Sequence, residues 1–132
     1  MVVYTPVYAA LLAVLFLVLS FRVIGARRGA RVALGDGGDR ALQRRMRVHA
    51  NFAEYAPLCL ILMALAELQD RPGWLINLIG LLLLAGRAAH AYGVSGEPEV
   101  FRWRVGGMVM TFTALGIAAM TNLGFSLFIM LA

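Results

Sequence analysis

The chain has 132 residues, 61% of them hydrophobic and 14% charged, with a mean hydropathy of +0.80. A water-soluble domain is about half apolar and about a quarter charged, so the composition excludes an ordinary soluble globule and points to one membrane domain. Basic residues outnumber acidic ones 12 to 7, giving +5; all are Arg and most lie between apolar runs, which fits loop charge at a membrane better than nucleic-acid binding.

The first apolar run, Tyr4–Phe21, is free of charge and extends to Ile24. It lacks a basic leader and a small-x-small cleavage site, so it reads as a retained helix. Residues 25–43 are polar and Gly-rich, carry Arg27, Arg28, Arg31 and Arg40, and include the turn-forming "GDGGD" at 35–39. A second span is expected over 46–68, a tight Asp70–Gly73 link, a third span over 74–94, and a fourth over 105–131. Each reaches the ~20 helical residues that cross a bilayer, and none alternates as a strand would. The fold class expected is all-α, a membrane four-helix bundle. The Arg-rich first loop belongs on the cytoplasmic side, which puts both termini outside and the third loop inside. Cys59 is the only cysteine, so no intrachain disulfide or cysteine metal cluster is possible; it reads as a packed thiol, and no metal is expected.

The second span opens with "RVHANFAEYAP" (47–57). Arg47, Asn51 and Glu54 lie four and seven residues apart, one face of a helix, with Arg44 a turn earlier. A charge within a span costs ~2.5–3.5 kcal/mol unless it faces a bundle interior, a cavity or a partner. The stripe should therefore look inward. By topology, Arg87 and His90 at the end of the third span and Arg104 at the start of the fourth share its depth. Cations from three helices at one level suit an anionic ligand. Arg22, Arg27, Arg28 and Arg44 are read as reaching headgroups, and Arg47 admits either reading. Tyr4, Tyr8, Trp74, Tyr92 and Trp103 read as an interfacial belt, the methionines as filler, and Gly106, Gly107, Thr111, Ala114 and Ala118 as a close-packing face.

The pattern R-x-x-x-N-x-x-E-x-x-P, here Arg47, Asn51, Glu54 and Pro57, resembles the MAPEG superfamily, the membrane-associated proteins in eicosanoid and glutathione metabolism. "GARRGARV" (25–32) and "GRAAH" (86–90) are similar to segments of its leukotriene C and prostaglandin E synthases. The resemblance covers the whole chain. It implies a homotrimer with glutathione, as co-substrate, bound between subunits near the cytoplasmic face. Carried over, Arg47, Asn51, Glu54, Tyr55, Arg27, Arg87 and His90 contact glutathione. The arginine that activates the thiol is Arg102 or Arg104, with Arg104 preferred because "RVGG" follows it.

Two departures argue against the eicosanoid groove: Val94 stands where those enzymes carry Tyr, and the "SGEPEV" loop is acidic. The chain looks nearer to small bacterial members. The function expected is a glutathione transferase or peroxidase acting on a lipophilic small molecule or lipid in the bacterial inner membrane. The alternative is a non-catalytic membrane protein whose polar stripe only stabilises the oligomer. A transporter is disfavoured, since no inverted repeat or broken helix is evident.

Overall fold

The computed structural model describes residues 1–132 as four helices: α1 (Tyr4–Ala30), α2 (Arg40–Leu68), α3 (Gly73–Ser95) and α4 (Phe101–Leu131). All four are long and apolar enough to cross a membrane. Only 27 of the 132 residues are buried, so most apolar side chains point outward, as hydrocarbon solvation allows.

Three helices outrun their apolar stretches. α1 continues through Arg27 and Arg28, whose charges suit the negative end of the helix dipole. It stops where Arg31 turns left-handed at φ 54°. Gly35, Gly37 and Gly38, all at positive φ, carry the chain round to α2. Asp39 then caps α2, its side chain accepting from the Leu42 N–H at 2.9 Å. Hence α2 starts at Arg40 rather than 46: Arg, Gln and Leu propagate a helix well once it is capped. α4 likewise starts at Phe101, taking Arg102 and Arg104 into its first turns.

The N-terminus of α1 is closed from a distance. The Glu67 carboxylate, near the end of α2, accepts from the backbone N–H groups of Val3 (2.6 Å), Tyr4 (2.6 Å) and Thr5 (2.8 Å). It thereby satisfies donors that hydrocarbon would leave orphaned.

α3 and α4 pack most closely, α1 lies against α2 and more lightly against α3, and α1 does not touch α4. Small residues set the α3–α4 distance. A Cβ on Gly86 would sit 2.8 Å from the Gly107 carbonyl oxygen and from Thr111 Oγ1, and one on Gly107 would sit 2.6 Å from the Gly86 carbonyl oxygen. Of the small residues expected to pack in α4, Gly107, Thr111, Ala114 and Ala118 are buried. Leu12, Phe52, Cys59, Met63, Ile79 and Leu83 contribute to the shared core. Tyr8 departs from the interfacial belt: it is 7% exposed, its ring covers Gly80, and its hydroxyl donates to Asn77 Oδ1 at 2.9 Å. Gly80 has no side chain, so the ring fits between α1 and α3. Trp74, Tyr92 and Trp103 remain exposed.

Candidate functional site: an arginine-lined cleft at the loop end of the bundle

At the end where α1 stops and α2 begins, a cleft of about 530 Å³ opens between α2, α3 and α4. Ligand pockets commonly measure about 300–1,000 Å³. α2 supplies Arg40, Gln43, Arg44, Arg47 and Asn51, a face repeating every three or four residues. α3 supplies His90 and Val94, the α3–α4 loop Glu97 and Glu99, and α4 Arg104 and Met108.

Charge is divided across the cleft. Arg44 Nε lies 3.1 Å from Glu97 Oε1 and Nη1 lies 3.4 Å from Glu99 Oε2. Arg104 Nη1 lies 2.9 Å from Glu99 Oε1. Arg44 is thus turned to the two loop acids. Arg40 and Arg47 form no ion pair within the chain and offer open guanidinium groups.

Under the floor of the cleft lies Arg87, 2% exposed. Its Nη1 donates to Asn51 Oδ1 at 2.7 Å and its Nε to Thr111 Oγ1 at 3.0 Å. Its Nη2 reaches Met108 Sδ at 3.2 Å. Thr111 in turn donates to the Gly107 carbonyl oxygen at 2.8 Å. No carboxylate meets this buried cation. Neutral dipoles hold it, and Asn51 and Met108 connect it to the cleft surface.

The residues singled out from sequence therefore separate. Arg47, Asn51, His90 and Arg104 line one cleft, and Arg87 lies one layer beneath it. Arg102 is exposed outside it. Glu54 does not look inward within the chain: it is exposed and forms no ion pair. The cleft closes at Asn51 and Met108, and three residues further along α2 the helix has turned Glu54 about 60° off the Asn51 direction. Tyr55, half-buried, meets Phe112 edge-on at 5.4 Å and lies 5.7 Å below the Arg87 guanidinium. Arg27 is not at the cleft either. It donates to the Gly35 carbonyl oxygen at 2.7 Å, closing the α1–α2 loop on itself. Arg22 donates to Ser95 Oγ at 3.1 Å.

Arg40, Gln43, Met108 and the roles of Glu97 and Glu99 escape the sequence reading. Arg40 continues the Arg44–Arg47–Asn51 face one turn back, a signal hidden by starting the helix at 46. Met108 is no mere filler, since its sulfur accepts from Arg87.

The MAPEG family model matches residues 5–124. The chain belongs to the MAPEG family. Inner membrane protein YecN of Escherichia coli (strain K12) is 40% identical over 119 residues, covering 90% of this chain and 89% of that protein. The protein of the same name from Escherichia coli O6:H1 matches with the same identity and coverage. Family membership and four spanning helices make this an integral membrane protein of the glutathione and eicosanoid family.

Proposed function

We propose that this MAPEG protein binds glutathione in the arginine-lined cleft and transfers it to lipophilic electrophiles arriving from the bilayer. The observation that carries the reading is the gathering of Arg40, Arg44, Arg47 and Arg104 around one opening that Asn51 and His90 also line. Glutathione has two carboxylates, an ammonium and a thiol. Guanidinium groups grip carboxylates with paired, charge-assisted hydrogen bonds. Arg104, on the opposite wall from Arg47, is the proposed thiol-activating residue: a nearby cation favours thiolate, the nucleophilic form. The thiol releases its proton to solvent, and the thiolate attacks the electrophilic carbon, forming a C–S bond as the bond to the leaving group breaks and that group departs as its anion.

The location proposed is a bacterial inner membrane, supported by the name of the YecN relatives. A homotrimer is proposed because Glu54 is an exposed, unpaired carboxylate about four turns into α2, where a neighbouring subunit could pair it. Such a neighbour could also bring Arg27 or Tyr55 to the ligand.

A second reading has its own support. Glu99 already pairs with Arg44 and Arg104, and Arg87 is satisfied by Asn51 and Thr111, so the polar residues could serve cohesion alone. Titration of the purified protein with glutathione by calorimetry separates the two. Saturable binding that weakens in Arg47→Ala supports the first reading, and no binding supports the second.

A further inference from the structure

The carboxylate of Glu99 bridges two helices, with Oε1 on Arg104 of α4 at 2.9 Å and Oε2 on Arg44 of α2 at 3.4 Å. A ligand carboxylate entering the cleft would seek this same bridge between opposed guanidinium groups. We infer that Glu99 holds the anion position of the cleft, so that an anionic ligand binds by displacing the Glu99 carboxylate, one ligand anion taking Arg44 while Arg104 is released to face the ligand's other anionic group. The inference deepens the proposed function, since it rests on the cleft being the ligand site.

Three features make exchange feasible. First, the Glu99 side chain is 30% exposed and its Arg104 partner 48%. Ion pairs with this much solvent contact hold weakly, so a ligand can displace them. Second, the loop base is anchored while the side chain is not. The Val100 N–H donates to the Gly93 carbonyl oxygen at 2.9 Å and the Arg104 N–H to the Val100 carbonyl oxygen at 3.2 Å. Glu99 can leave by rotating its side chain, without remodelling the start of α4. Third, the two arginines differ in what they lose. Arg44 keeps Glu97 at 3.1 Å when Glu99 departs, whereas Arg104 has no other carboxylate partner. Exchange therefore frees Arg104 specifically.

Glu99 thereby becomes a specificity determinant. A ligand must bring an anionic group good enough to replace a tethered carboxylate, so neutral ester or amide analogues are rejected. Four arginines against two glutamates leave the cleft net positive, which favours a ligand carrying more than one negative charge.

The test uses the full-length protein in mild detergent at fixed ionic strength, as wild type, Glu99→Gln and Glu97→Gln. Each is titrated with glutarate, a plain dicarboxylate, and separately with glutathione, followed by thermal shift. Gln preserves the shape of the side chain and removes the competing charge. Exchange predicts that Glu99→Gln binds glutarate about two- to fivefold more tightly than wild type, the size expected from losing a partly exposed ion pair. Glu97→Gln should gain less, because Arg104 stays occupied. Equal or weaker glutarate binding by Glu99→Gln would overturn the inference, making Glu99 a strut that orients the arginines. So would a lack of glutarate response in every chain. Tighter glutarate binding with no glutathione binding in any chain would uphold the exchange and refute the glutathione reading. Equal glutathione affinity in wild type and Glu99→Gln would refute the exchange and uphold the glutathione reading.

Discussion

Arg104 and Arg87 show how two arginines of one end of the bundle can do different work. Arg104 is exposed in the cleft and paired only with Glu99. Under the proposed function, Arg104→Ala should change glutathione affinity modestly, since Arg40, Arg44 and Arg47 remain. Turnover of a generic electrophile should fall by about 10²-fold, the typical loss on removing one group that stabilises developing charge. Arg104→Lys should restore only part of the rate, because a point charge replaces a planar fork. Arg102→Ala, outside the cleft, is the control, and equal losses in both would remove Arg104 from its role. Arg87 is instead a buried tie between α2, α3 and α4. Arg87→Met would leave Asn51 Oδ1 and Thr111 Oγ1 with acceptors unmet. It should lower stability by about 1–3 kcal/mol, read as a lower thermal midpoint in detergent.

At the scale of the element, the α3–α4 crossing offers a sharp contrast between neighbouring glycines. Gly107→Ala drives a methyl group into the α3 backbone around Gly86 and His90, whereas a Cβ on Gly106 meets nothing within 4 Å. Gly107→Ala should destabilise the chain by about 1–3 kcal/mol through overpacking, and Gly106→Ala should not. Comparable melting of the two variants would contradict the packing account. The helix middles were legible because hydropathy reports what hydrocarbon tolerates. The ends were not, because helices end where caps and turns dictate: Asp39 starts α2 six residues before its apolar run. That hidden turn and a half concealed Arg40. The same limit applies to direction. Spacing puts Arg47, Asn51 and Glu54 on one face, but how deep the cleft reaches depends on how α3 and α4 close beneath it. So Arg47, Asn51, His90 and Arg104 could be grouped from spacing and topology, whereas the pairing of Arg44 with the loop acids and the outward turn of Glu54 are tertiary facts.

For the whole molecule, the outward carboxylate is the decisive feature. An unpaired Glu54 on a lipid-facing surface would cost about 2.5–3.5 kcal/mol on insertion scales, a penalty that association removes if a neighbour supplies a cation or donor. The proposed homotrimer predicts a dominant three-subunit species in native mass spectrometry from mild detergent. Glu54→Ala should weaken that species if its partner lies in the next subunit, and a monomer as the main species of the wild type would count against it. Whether the cleft recognises glutathione is decided by thermal unfolding of the detergent-solubilised wild type across rising glutathione, with Arg47→Ala alongside. At about 100 times Kd a ligand specific to the folded state adds about 2.7 kcal/mol, so the midpoint of the wild type should climb steadily while that of Arg47→Ala lags to higher concentrations. A wild-type midpoint that stays flat up to millimolar glutathione would contradict the account.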